Sequence, residues 1–300
     1  MHRKRCDMIL RTFYPVGHGA FYSENHLCGS TTFNIVYDCG TLESKSLVST
    51  IVKDAFSDDE VIDILFISHF DKDHVSLIPE LRPFRSRKIK KVVLPLLHHD
   101  VKLLLNGYYR LMNGWWSKAD IDITLTILNK PEELFSGAEL IFVSSDNDEK
   151  VEFHQDIVDG THIKSGCTVK SGTAILLKKH PEWVFIPYNL DISNRVTNLK
   201  SLLMREGIDI NSLKDANFVN NYSKKLKTLY KTFRTKNKVS PSSILTKIKV
   251  VNIVRPTQFS THCIEFRECE IVLVHTKVRY SNIIINNIRI CRDIDSRTRL

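Results

Sequence analysis

Six consecutive residues, His69-Phe70-Asp71-Lys72-Asp73-His74, carry two imidazoles and two carboxylates. Both groups ligate divalent cations, imidazole through a ring nitrogen and carboxylate through oxygen. At positions i, i+2, i+4 and i+5 they cannot all point one way from a strand or a helix. A tight loop can gather them around one or two ions. Solvated loops are also rich in Asp and Lys, but they rarely carry His at both ends directly after an apolar run. The chemistry implied is hydrolysis by cation-activated water, with Asp73 as the candidate catalytic residue that orients the water.

Such a loop needs a rigid mount. Val61-Ile62-Asp63-Ile64-Leu65-Phe66-Ile67-Ser68 precedes it and reads as a buried strand. Two segments further upstream have a related character. Tyr14-Pro15-Val16-Gly17-His18-Gly19-Ala20-Phe21 reads as strand, turn, strand, and Asn34-Ile35-Val36-Tyr37-Asp38-Cys39-Gly40 is an apolar strand ending in Asp-x-Gly. In this order, within residues 9–81, the three segments resemble the signature of the metallo-β-lactamase fold superfamily. Its pattern is His-x-His-x-Asp-His after a buried strand, and here Asp71 stands where the second His usually does. This Asp variant is similar to the metallo-β-lactamase-like domains related to DNA-uptake competence proteins.

The resemblance implies an α/β fold, an αββα sandwich of the metallo-β-lactamase type, with a binuclear metal site. His69 and Asp71 would serve one metal, and Asp73 and His74 the other. Asp38 would hold a ligand His by its free nitrogen. A further His, a bridging Asp and a late His would complete the set. His162, with His154 as the alternative, is the candidate third ligand. The bridging carboxylate belongs on an apolar strand ending in Gly-Asp. The nearest match runs from Trp183 to Asp191, with Asn189 where Asp is expected and Asp191 two residues later. An Asn amide supplies no bridging charge, so either Asp191 takes the role or this hairpin is not the equivalent element. His275, after the strand-like Ile271-Val272-Leu273-Val274, is the candidate late ligand, with His262 the weaker alternative. One or two divalent ions per chain are expected. Zinc leads, and the carboxylate at position 71 also admits manganese or iron. His18, between two glycines, reads as a turn residue, and His98 and His99 as surface or core residues rather than ligands.

There is no Gly-x-Ser-x-Gly elbow and no phosphate-cradling glycine loop, which argues against serine-nucleophile and nucleotide-triphosphatase chemistry. The chain has 300 residues, 42% of them hydrophobic, enough for a substantial core. No apolar run reaches the length of a membrane span, and no h-region follows the basic start. Seven scattered cysteines without a Cys-x-x-Cys pair fit a reduced, cytoplasmic setting with buried thiols. Charge is uneven. Residues 1–191 hold 22 Lys and Arg against 26 Asp and Glu, and residues 192–300 hold 21 against 8. The basic third includes Lys224, Lys225, Lys227, Lys231, Arg234, Lys236 and Lys238, with Tyr222, Tyr230 and Phe233 between them. It suits a phosphodiester or nucleic-acid partner, although a solvated helical face with inward aromatics explains any single one of these residues as well.

Spacing predicts strands at 8–14, 16–24, 32–38, 61–68 and 90–96, and helices at 47–56, 75–81 and 100–114. Further strands are expected at 121–128 and 138–144, with a hairpin at 173–178 and 182–188. Helices follow at 199–206 and 223–232, then strands at 244–254 and 270–290. Residues 1–254 read as the domain, and 255–300 as a segment that completes the second sheet or stands outside it. Three functions remain in play: a metal-dependent hydrolase acting on a phosphodiester, a catalytically incomplete scaffold that binds nucleic acid or a protein, and a regulator in which the cation is structural.

Overall fold

The computed structural model describes residues 8–81, 89–146, 157–159, 166–177, 180–190, 193–237, 248–254, 268–271, 284–285 and 288–289. The chain opens with an antiparallel meander, β1 (Met8–Phe13), β2 (Gly19–Cys28) and β3 (Thr31–Thr41). It then crosses over three times to lay down parallel strands. Helix α1 (Lys45–Lys53) leads to β4 (Ile62–Phe66), and the short α2 (Lys72–Val75) and a 3₁₀ turn (Ile78–Leu81) lead to β5 (Ile89–Pro95). Helices α3 (His99–Leu111), α4 (Lys118–Asn129) and α5 (Pro131–Leu134) lead to β6 (Glu139–Asp146). Parallel strands covered on both faces read as continuous apolar runs, and β4, Ile-Asp-Ile-Leu-Phe, is buried throughout.

The remaining strands are β7 (Ile157–Asp159), β8 (Cys167–Lys170), β9 (Ala174–Leu177), β10 (His180–Leu190), β11 (Ile248–Val254), β12 (Glu268–Ile271), β13 (Ile284–Ile285) and β14 (Ile288–Arg289). The β9–β10 hairpin and β11 form an antiparallel set, and β12 pairs with β11. The end of β10 runs parallel to the end of β6, at Asn189 with Ser145, and joins the two sets of strands. Helices α6 (Ser193–Arg205), α7 (Ala216–Asn221) and α8 (Ser223–Asn237) lie between β10 and β11 in sequence.

Alternation along the strands feeds two cores. Val36, Leu65, Ile67, Val92 and Leu94 pack with the buried residues of α1, α3, α4, α6 and α8. Ile35, Tyr37, Ile64, Phe66, Val93 and Val143 pack with Ile175 of β9 and with Trp183 and Phe185 of β10. The Phe66 and Phe185 rings meet at 5.7 Å. Helices therefore cover one face of the first strands, and the β9–β10 hairpin covers the other. The α/β class holds.

One expected strand is a helix. Residues 121–127 alternate Ile, Asp, Ile, Thr, Leu, Thr, Ile, which imitates a strand. They lie inside α4, which Ser117 caps by accepting from the Asp120 N–H. The helix buries Ile121, Thr124, Ile127 and Leu128, a helical spacing that the β-branched residues concealed.

Beside the second core lies a buried charged group. Glu24 of β2 is fully buried. It accepts from the Tyr22 hydroxyl at 2.9 Å, lies 2.8 Å from His26 Nε2, and meets Arg11 Nε at 3.4 Å. Burial alone would raise its pKa, but these partners outweigh burial and hold it below the usual value. Cys39 and Cys167 are free thiols. Cys28 is disulfide-bonded, which departs from the expectation of a reduced setting with mostly buried thiols. No described helix is long and apolar enough to cross a membrane.

Candidate metal centre

The centre begins with an irregularity in β3. Phe21 pairs with Cys39 and Tyr22 pairs with Tyr37, so Asp38 is an extra residue. Its φ is 52°, which among the described residues is the one positive value outside glycine. A bulge residue in this conformation re-aims its side chain, at a backbone cost of about 1–3 kcal/mol. The Asp38 carboxylate is fully buried beneath the loop that follows β4. One oxygen accepts from the Ser68 backbone N–H at 2.7 Å, and the other from the Ser68 hydroxyl at 2.6 Å. That second oxygen also lies 2.7 Å from His74 Nδ1.

This clamp fixes both imidazoles. An ionised carboxylate only accepts, so His74 Nδ1 carries the proton toward Asp38. The Ser68 hydroxyl has spent its one proton on Asp38. Its oxygen, 2.9 Å from His69 Nδ1, therefore accepts from that ring. Neutral His69 and His74 then both present a lone pair at Nε2, the tautomer that ligates metals. His74 Nε2 lies 3.6 Å from an Asp73 oxygen, and His69 Nε2 lies 3.8 Å from an Asp71 oxygen. The two rings are 3.8 Å apart. His69, Asp73 and His74 each offer a ligand atom, all within 4.8 Å of one another, and all three residues are buried. Lone pairs gathered in this way repel unless a cation lies among them, so the donor set fits a divalent metal.

Asp71 stands at the edge of the cluster. Its Oδ1 accepts from the Tyr109 hydroxyl of α3 at 3.0 Å. Burial, and then the charge of Asp73, push its pKa well above the carboxylate range, while the Tyr109 hydrogen bond and the charge of Arg234 pull it back. A cation in the cluster would relieve the same repulsion. Lys72, between the two Asp residues, is turned away from the ligand side. Its Nζ lies 3.3 Å from Asp120 of α4, and Lys45 of α1 lies 2.7 Å from the same carboxylate. Gly40 completes the mount. A Cβ there would come within 2.5 Å of the backbone of Asp73, His74 and Val75, so only glycine lets the loop lie against β3.

Of the residues expected at the site, Asp38, His69, Asp73 and His74 are brought together, with Asp71 beside them. Asp191, His162 and His275, and the alternatives His154 and His262, lie outside the described residues. Asn189 is occupied by the scaffold: its amide donates to the Val143 carbonyl at 2.8 Å, and its N–H donates to Ser171 at 3.0 Å. His18, His98 and His99 are exposed. Ser68, Tyr109 and Asp120 were not foreseen. Ser68 was within reach of the sequence, as the hydroxyl residue next to His69 at the strand end. Tyr109 and Asp120 carry no local signal, because α3 and α4 reach the loop only through tertiary packing.

No family model and no curated protein sequence matches the chain. Among solved structures it is similar to one from Cronobacter sakazakii titled a metallo-beta-lactamase with a HARLDQ motif. The identity is 9%, the match covers 79% of this chain and 98% of that one, and the TM-score is 0.26. An overlap of that size carries no argument about function.

Proposed function

We propose that this protein is a metal-dependent hydrolase of the metallo-β-lactamase type, an αββα sandwich in which residues 1–254 form the domain. The pairing of β12 with β11 supports a role for residues 255–300 in completing the second sheet. One observation carries the functional reading. Asp38, on a strained bulge, sets His69 and His74 in the ligating tautomer beside Asp73, in a buried cluster. When bound, a divalent cation supplies Lewis acidity and lowers the pKa of water. The chain's own residues divide the remaining work. His69, Asp73 and His74 hold the ion, with Asp71 adjacent. Asp191, His162 and His275 remain the proposed further ligands. Asp73 also orients the water, and Asp38 and Ser68 keep the imidazoles aligned.

For the substrate we propose a phosphodiester, nucleic acid above all. The exposed Lys224, Lys225, Lys227, Lys231 and Lys236 of α8 support this, since they form a basic face while Leu226, Leu229, Tyr230 and Phe233 pack inward. The test is hydrolysis of a chromogenic phosphodiester by protein loaded with zinc or manganese. Activity that disappears with chelator and in Asp73→Ala is the expected result. No turnover with any divalent metal would overturn it.

A second reading has its own support. Asn189 is committed to the Val143 carbonyl and offers no bridging charge. An incomplete site would leave a scaffold that binds nucleic acid. That reading requires salt-sensitive binding to DNA or RNA that is indifferent to chelator.

A further inference from the structure

The two oxygens of Asp71 have different neighbours. Oδ1 accepts from the Tyr109 hydroxyl of α3 at 3.0 Å. Oδ2 lies toward His69, 3.8 Å from its Nε2. An ion bound at about 2 Å from each of two atoms holds them no more than about 4 Å apart. Oδ2 is therefore within reach of an ion held by His69, while Oδ1 is engaged by the helix.

The donor is fixed in its own right. Tyr109 is 2% exposed, and its ring meets Tyr108 edge-on at 5.5 Å and stacks on Trp116 at 5.9 Å. Tyr108 in turn lies 5.7 Å from the Tyr230 ring of α8, whose hydroxyl donates to the Leu104 carbonyl of α3 at 2.7 Å. Rings seated on both sides leave the Tyr109 hydroxyl little freedom to move off Asp71. The donor is also neutral. The ammonium of the adjacent Lys72 lies 3.3 Å from Asp120 instead. Asp71 thus keeps its charge for a cation with one of its oxygens already taken.

How many oxygens a carboxylate offers bears on which ion fits. Ligation through both oxygens raises the coordination number and suits ions that take six or more oxygen-rich positions, manganese among them. Ligation through one oxygen suits a four-coordinate ion, for which zinc is the usual occupant.

We propose that Tyr109 is a positioning residue for the metal: it confines Asp71 to ligation through Oδ2 and so tilts the centre toward zinc over manganese. The proposal rests on the reading of this site as a divalent metal centre. The rival is that a buried tyrosine hydroxyl has simply found an acceptor. In that case its loss costs stability and leaves the choice of metal alone.

The test uses the full chain as wild type, Tyr109→Phe, Asp71→Ala, the double variant and Tyr108→Phe. Zinc and manganese affinities are measured by competition against a chromophoric chelator. The visible spectrum of the cobalt-substituted protein reports coordination number, and denaturant midpoints of the metal-free protein show that each variant is folded. In Tyr109→Phe the preference for zinc over manganese is expected to fall roughly tenfold, the scale on which partners behind metal ligands act. The cobalt spectrum is expected to weaken toward that of a five- or six-coordinate ion. The double variant should match Asp71→Ala, because the hydroxyl acts through that carboxylate. Tyr108→Phe, one residue away on α3, should keep the wild-type preference. An unchanged preference and spectrum in Tyr109→Phe overturns the proposal, even if stability drops. So does a shift of the same size when Asp71 is already gone. Wild-type protein that binds neither ion overturns the metal reading and this proposal with it, whereas metal binding indifferent to Tyr109 overturns this proposal alone.

Discussion

At the residue scale, the centre depends on Asp38 more than on any single ligand. Its carboxylate meets Ser68 twice and His74 once, and through Ser68 it reaches His69. Asp38→Asn keeps the shape but can turn an amide N–H toward His74 Nδ1, which sets two donors face to face. Metal affinity is therefore expected to fall about 10–100-fold, the usual effect of losing a partner behind a ligand. A competition titration against a chromophoric chelator measures it. An unchanged affinity would show that the clamp does not set the imidazoles. Asp-x-Gly was visible in the sequence, and so was the loop, because short motifs carry their chemistry in adjacent residues. The contacts of Tyr109 and Asp120 were not, because they depend on where α3 and α4 dock.

At the element scale, two features make separate predictions. The loop lies so close to β3 that Gly40 has no room for a Cβ. Gly40→Ala must push the α2 backbone away, an overpacking cost of about 1–3 kcal/mol. A lower denaturant midpoint together with weakened metal binding is expected. If stability falls and metal affinity does not, the loop has more freedom than its packing implies. Glu24 makes the other prediction, far from the centre. Its native pKa is held below the ordinary 4.5 by His26, Tyr22 and Arg11 acting against burial. Its contribution is thus fully present above the ordinary value and is lost as pH falls through the lowered native one. Glu24→Gln should be less stable than wild type by about 1–3 kcal/mol at neutral pH, and the gap should close on acidification. Urea midpoints across pH would decide this, since a gap that ignores pH removes the carboxylate from the account. β4 and the β9–β10 hairpin announced themselves by apolar runs. α4 imitates a strand because Ile and Leu alternate with Asp and Thr, and the Ser117 cap that decides the matter is a single residue.

At the scale of the whole molecule, two cores on opposite faces of the first strands hold the centre. The helices pack on one side and the β9–β10 hairpin on the other. The loop emerges where β4, buried along its whole length, ends, so its ligands are mounted on a strand packed on both faces. The acidic first part of the chain carries the candidate metal ligands His69, Asp73 and His74, and the basic last third supplies α8. That division was legible as charge asymmetry, but the folding of α8 onto α3 was not, because nothing in the order of residues encodes a contact 126 positions away. The central claim is that His69, Asp73 and His74 hold a divalent ion. The most direct test is the metal content of purified protein, supplemented with zinc and manganese, beside His69→Ala/His74→Ala. The account predicts bound divalent metal in the wild type and its loss from a variant that stays folded. No metal in the wild type, or equal metal in the variant, would contradict it.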